Sequence, residues 1–190
     1  MNTRVLHPTP LNPVDLWHDE HAYFSRLLAL LGRQLAVFEA GQRPNYALML
    51  DILDYLRGYS DRFHHPREEV AFDILGQRCP DLAPILANLR QEHRVIAHAG
   101  EKLLALLTAI TDDSIVPRAE VEAAAATYLV YYRAHIDAEE RSVLSRAEDN
   151  LTPEDWDAVN AVQPVGLYAR FGPDPESDLR DLRHRIALES

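Results

Sequence analysis

Between residues 13 and 150, apolar positions recur every three or four residues in long runs, the period of amphipathic helices packed on a core. The first run opens at Asn12-Pro13, a capping residue followed by proline at the first helical position, and stops at Gly41. Its stripe is Val14, Trp17, Phe24, Leu28, Leu31 and Leu35. The second starts at Pro44 and ends near Leu75, with Gly76 expected just past its end and Pro66 expected to kink it. The third follows Cys79-Pro80-Asp81, with Asp81 as the expected cap, and carries Leu82, Leu86, Leu89, Ile96, Gly100, Leu104 and Leu107 on one face as far as Ile110. After the polar linker Thr111-Asp112-Asp113-Ser114, the fourth runs from Pro117 to Asp149. Long helices joined by short connections predict an all-α fold, an up-down-up-down four-helix bundle over residues 13–150. Residues 1–12 read as an irregular lead-in. In residues 151–190, Thr152-Pro153-Glu154-Asp155 has the form of a capped start for a short helix to Val162. Beyond it Pro164, Gly166, Gly172, Pro173 and Pro175 break the chain, and residues 174–190 read as a loop and short surface helix, a candidate contact for a homo-oligomer.

Histidines interrupt these stripes at one level. The stretch His64-His65-Pro66-Arg67-Glu68-Glu69 shares its His-x-x-x-Glu-Glu spacing with His135-Ile136-Asp137-Ala138-Glu139-Glu140. Helical residues four apart stack on one face, so a His and a Glu at that spacing can hold one metal ion. His21 and His93 lie on the apolar stripes of the first and third helices. In an up-down-up-down bundle, His21, His64, His93 and His135 fall at depths of roughly 12 to 21 Å from a common end, one layer within boundary error. Periodicity selects between neighbouring pairs. The stripe through His64 holds Leu53, Leu56, Ser60, Glu68, Ala71 and Leu75, whereas that through His65 holds Gly58, Asp61, Arg62, Glu69 and Asp73, a solvated face. His135 and Glu139 share a face with Val121, Tyr128, Tyr132 and Val143, while Glu140 sides with Arg133 and Asp137. The expected metal ligands are therefore His21, His64, Glu68, His93, His135 and Glu139. His18, one turn nearer the bundle end, is an extra ligand or a partner behind one, and His98 is expected at the surface.

A lone histidine on an apolar face is usually a core residue bonded to a carbonyl. Two carboxylates and four imidazoles buried together would be very costly without a cation, so the set reads as a metal site. Imidazole and carboxylate suit iron, manganese and zinc. The chain has a single cysteine, which excludes an internal disulfide and a thiolate-rich site. Cys79 itself reads as incidental, and Tyr128 and Tyr132 as core aromatics. A net charge of −11 argues against nucleic acid. No apolar run is long enough for a bilayer, and no signal-peptide pattern opens the chain, so a cytoplasmic protein with no membrane partner is expected.

The pattern of a histidine, then His-x-x-x-Glu, then a histidine, then His-x-x-x-Glu resembles the hemerythrin-like family, the His-His-Glu cation-binding domains. Glu20-His21, the His64 to Glu69 stretch and Gln91-Glu92-His93-Arg94 carry the resemblance, which spans roughly residues 13 to 150. It implies a non-haem di-iron centre, two iron ions bridged by the two glutamates with the histidines completing each ion's ligands. It also implies binding or sensing of dioxygen, nitric oxide or peroxide. Turnover of peroxide or nitric oxide by an enzyme, iron storage, and a zinc-held structural bundle are the alternatives. Two positions depart from the invertebrate oxygen carriers. They have a second histidine one turn after the third-helix one, where this chain has Ala97, and an aspartate five residues after the fourth-helix histidine, where it has Glu139 at four. The family's cluster-repair members typically add a cysteine-bearing N-terminal segment, which is not expected here.

Overall fold

The computed structural model describes residues 13–163 and 175–189, all helix, turn or irregular connection with no strand among them. The lead-in over residues 1–12 with the Asn12 cap, and the breaks at Pro164, Gly166, Gly172 and Pro173, lie outside the described residues. Helix α1 spans Pro13–Glu39 and ends through Gly41, whose φ of 74° is the left-handed conformation glycine adopts without strain. Helix α2, Tyr46–Tyr55, is capped by Asn45, whose side chain accepts from the Leu48 amide at 3.0 Å. It runs into a π-helical stretch, Leu56–His64, and then into α3, His65–Arg78. A 3₁₀ turn at Pro80–Leu82 leads to α4, Ala83–Thr111, followed by α5, Arg118–Ser142. Helices α6, Leu144–Asn150, α7, Pro153–Asn160, and α8, Pro175–Glu189, complete the chain.

Helix α1 packs on α2 and α5, and α4 packs on α2 and α5, so the long helices enclose a common interior. That interior is two apolar clusters. One holds Phe24, Leu28, Leu31, Leu53, Leu56, Ile96, Leu103, Tyr128 and Tyr132. The other, toward the opposite end, holds Val14, Trp17, Phe72, Leu75, Leu86, Leu89, Val143 and Leu144. Along α1 and α4 the histidines at 21 and 93 fall between the residues of one cluster and those of the other, and on α5 Glu139 falls between Ile136 of the first and Val143, just past the helix end, of the second. The polar layer is therefore bracketed by apolar packing on both sides.

Several expected features take another form. The predicted second helix is not one kinked α-helix. Its middle is the π stretch, where the His65 amide bonds to the Ser60 carbonyl five residues back, and Pro66 falls in the first turn of α3. Pro66 has no amide to donate, and its ring would clash with a carbonyl four residues earlier in a regular helix. The wider turn ahead of it avoids that clash. Gly76 is not past the helix end, since α3 continues to Arg78 with Cys79 as its cap, and Asp81 lies in the 3₁₀ turn, paired with Arg146, rather than capping α4. The fourth predicted helix breaks at Val143 into α5 and α6. The Thr152/Asp155 capping box forms as expected, and Trp156 of α7 packs edge-on against Trp17 at 5.4 Å. Helix α8 is not a surface helix. Leu179, Leu182 and Ile186 are buried in the larger cluster against α2, and Arg185 pairs with Asp51 at the rim.

Candidate metal centre

The six expected residues come together in one buried layer. His21, His64, Glu68, His93, His135 and Glu139 are each at most 5% exposed. They arrive from α1, the end of the π stretch, α3, α4 and α5. Nε2 of His21 lies 3.0 Å from Nε2 of His64, and Nε2 of His93 lies 3.1 Å from Nε2 of His135. The two glutamates join these pairs. Glu68 Oε1 is 2.8 Å from His64 and 3.3 Å from His21, while its Oε2 is 3.4 Å from His93. Glu139 Oε2 stands 3.4 Å from His21 and 3.3 Å from His135. Each carboxylate therefore spans both histidine pairs.

The outward nitrogens fix the tautomers. His21 Nδ1 is 2.8 Å from Glu140, His64 Nδ1 is 2.6 Å from Glu20, His93 Nδ1 is 3.2 Å from Glu69, and His135 Nδ1 is 3.2 Å from Glu92. An ionised carboxylate only accepts, so each Nδ1 carries the proton and donates it. Every neutral ring then turns a bare Nε2 lone pair inward. Four lone pairs meet Glu68 Oε2 and both oxygens of Glu139, none of which receives a hydrogen bond. Acceptors with no donors, buried together, are repulsive unless a cation sits among them. The donor set fits metal. Two groups of residues have ligand atoms mutually within 4.8 Å: His21, His64 and Glu68, and His65, Glu68, His93 and His135.

A family model described as the hemerythrin HHE cation-binding domain matches residues 12–147. The chain belongs to this family. A comparison with curated proteins found none that matches. A hemerythrin HHE bundle is a cation-binding helical domain, and the His/Glu cluster of this chain is suited to that role.

Without a cation, protons take its place in this hemerythrin HHE layer. Burial pushes the imidazoles of His21, His64 and His93 down, but the surrounding glutamates outweigh it and hold all three at about 9. For His21 the opposing groups are Glu140 and Glu68, for His64 they are Glu68 and Glu20, and for His93 they are Glu68 and Glu69. Burial and the neighbouring charge of Glu68 push the Glu139 carboxyl well up. Glu68, despite its burial, is held well down by His64 and by hydrogen bonds from His21 and His64. The two close carboxylates are thus driven apart, Glu68 toward the ionised form and Glu139 toward the protonated one.

Three residues behave differently from the pattern in the sequence. His65, placed there on a solvated face, is 4% exposed and stacks on His93 with ring centroids 4.2 Å apart and planes 17° from parallel. The π stretch is the reason. Its wider turn rotates the chain so that consecutive residues 64 and 65 both face the interior. Glu69 and Glu140 are half-exposed as the helix faces suggest, yet each reaches back to an inner histidine. No helical period could have revealed that, because the outward nitrogen of a ring lies near the rim of the bundle. His18 is exposed and pairs with Glu140 at 2.6 Å, standing behind His21, and His98 is exposed.

Apolar side chains close the layer. Phe24 meets the His64 ring edge-on at 5.0 Å, Trp17 meets it at 6.1 Å, and Phe72 stacks on His93 at 6.0 Å. Tyr59 donates to Glu20, and Tyr132 donates to Ser60, which is in turn 3.0 Å from His65 Nε2.

Proposed function

We propose that this chain holds two iron ions in the His/Glu layer and uses them to bind or sense a small molecule: dioxygen, nitric oxide or peroxide. The observation that carries the reading is the convergence of four inward Nε2 atoms on three buried carboxylate oxygens, Glu68 Oε2 and both of Glu139, that receive no hydrogen bond. His21 and His64 would hold one ion, His93 and His135 the other, and Glu68 and Glu139 would span both. When bound, a pair of ferrous ions supplies two electrons to an oxidant, the chemistry that a lone ion or a zinc pair does not offer. The protein's part is to orient and shield. Glu20, Glu69, Glu92 and Glu140 hold each ring's proton at Nδ1 and so keep Nε2 free to ligate. Trp17, Phe24 and Phe72 exclude water from the rings they touch.

Elemental analysis of protein purified without added metal, with absorption spectra before and after air, tests this. About two irons per chain, as facing Glu and His helices favour, together with a near-ultraviolet band that changes with oxygen, are expected. Zinc alone, or no metal and a melting temperature indifferent to chelation, refutes it. Steady consumption of added peroxide or nitric oxide would turn the same centre into an enzyme's.

A further inference from the structure

The two halves of the layer are enclosed differently. His64 has the rings of Phe24 and Trp17 set edge-on against it at 5.0 and 6.1 Å. On the other side a groove of about 520 Å³ between α3 and α4, lined among others by Asp61, His65, Glu69, Ala97 and Val162, reaches His93 itself. Its floor is small at Ala97, one turn beyond His93 on α4, so a methyl lies where a longer side chain would fill it.

His65 stands where this groove meets the layer. One of its ring nitrogens lies within 4.8 Å of the ligand atoms of Glu68, His93 and His135. It is nonetheless badly placed to share an ion with His93. Nitrogen lone pairs lie in the ring plane, and two rings stacked at 4.2 Å and 17° cannot both aim a lone pair at one point. The His65 ring is also already held, by Ser60 at Nε2, and Ser60 is held by Tyr132. Since Ser60 accepts from Tyr132 and gives its own proton to Nε2, the neutral ring carries its proton at Nδ1, which stands 3.6 Å from Asp61 Oδ1 on the groove side, beyond hydrogen-bond distance, and is the nitrogen left to donate. The result is a fixed, polar ring beside the ligand layer, facing a passage from outside.

We propose that a small two- or three-atom ligand reaches the centre through the groove over Ala97, on the His93/His135 side, and is met there by the imidazole of His65 as a hydrogen-bonding partner. This rests on the metal-centre reading above. It adds the side of approach and the residue that receives the ligand. The side is set by what the chain leaves small, Ala97, and the receiving group by what the π stretch turns inward, His65.

Azide is the probe, followed by absorption and stopped-flow mixing on full-length protein loaded with its metal. Ala97→Trp is expected to slow azide association at least tenfold with metal content unchanged, and Ala97→Leu to slow it less. Both fill a half-buried position at the groove, and a melting curve on each identifies a variant that has not folded. His65→Ala is expected to keep its metal and weaken azide binding about tenfold. Association at the wild-type rate in a folded, metal-loaded Ala97→Leu or Ala97→Trp protein overturns the route. Loss of metal in folded His65→Ala overturns the role of His65 and makes it a ligand instead. Wild-type protein that holds no metal overturns the reading beneath, a result distinct from either.

Discussion

Four glutamates stand behind the four histidines, and their effects on metal binding should differ in an order the geometry sets. The perturbation is Glu→Gln at each in turn, which keeps the shape and an acceptor oxygen but removes the charge. A hydrogen bond to a charged partner contributes about 1.5–3 kcal/mol and a neutral one about 0.5–1.5, so the substitution costs about 1–1.5 kcal/mol where the site is buried. That is roughly tenfold in metal affinity. Glu20 should show it in full. Its side chain is 10% exposed, it lies 2.6 Å from His64, and its other oxygen is occupied by Tyr59, so a glutamine amide must face one partner or the other. Glu140, 32% exposed at 2.8 Å from His21, should cost about fivefold, solvent screening part of the charge. Glu92, 15% exposed but at a longer 3.2 Å from His135, should cost about the same. Glu69, 47% exposed at 3.2 Å from His93, should cost no more than about twofold. The assay is titration of metal-free protein with ferrous or cobaltous ion under argon, with a chelator of known affinity as competitor. An equal loss at Glu69 and Glu20, or no loss at any of the four in folded protein, refutes the claim that these carboxylates hold the ligating tautomers.

Metal affinity should rise steeply from about pH 6.5 to 9, by up to tenfold per pH unit for each proton displaced, because His21, His64 and His93 carry protons up to about 9 without metal. The metal-free fold has the opposite trend. Pairing raises these folded-state values above 6.5, so their stabilisation is whole below about pH 6.5 and lost as pH climbs through about 9. Thermal melts with and without chelator should therefore diverge over that window, and parallel curves would refute the proton-for-metal exchange. Glu139→Leu should abolish tight uptake of metal yet raise the melting temperature of metal-free protein, since an apolar side chain of similar volume replaces a buried carboxyl whose oxygens receive no hydrogen bond; calorimetry in chelator checks the sign, and a lowered melting temperature contradicts it. Leu182→Ala should cost about 2–5 kcal/mol in urea unfolding, since Leu182 of α8 is 2% exposed within the main cluster, and a cost below about 1 kcal/mol would mean α8 is not part of the core.

What the sequence discloses is whatever a single helical period can carry. Val14, Trp17, Phe24 and Leu28 mark the buried face of α1 without ambiguity, and His21 is read as inward because it shares that face. The same logic selects Glu68 over Glu69 and Glu139 over Glu140, and the structure buries the first of each pair and leaves the second half-exposed. It fails at His65 because it assumes one period throughout. Nine residues of π helix change the angle per residue, and nothing in Leu56–His64 announces this except Gly58 and the proline that follows. It fails again at α8, where Leu179, Leu182 and Ile186 do recur at helical spacing. They stand among Arg180, Asp181, Arg183 and Arg185, so the narrow stripe reads as surface until its partner helix α2 is seen. Outer partners such as Glu20 and Glu92 are invisible for a third reason. A side chain that reaches across to a neighbouring helix has no fixed offset in sequence from what it touches.

The arrangement as a whole explains why so acidic an interior can exist. Six glutamates surround four imidazoles: Glu68 and Glu139 among the inward nitrogens, Glu20, Glu69, Glu92 and Glu140 behind the rings. Metal-free, the set takes up protons: the glutamates hold His21, His64 and His93 near 9, and burial with Glu68 pushes Glu139 up. Protons, though, cannot satisfy the geometry. A proton between two Nε2 atoms bridges one pair of rings, whereas the free Oε2 of Glu139 faces both His21 and His135 and that of Glu68 faces His93. A cation among these imidazoles and carboxylates answers both, and the surplus of carboxylates favours a multivalent one. Apolar walls at Trp17, Phe24 and Phe72 keep water from screening that preference. Selection for cations is therefore a property of the whole layer, and the outer glutamates, half in solvent, contribute to it as surely as the inner two.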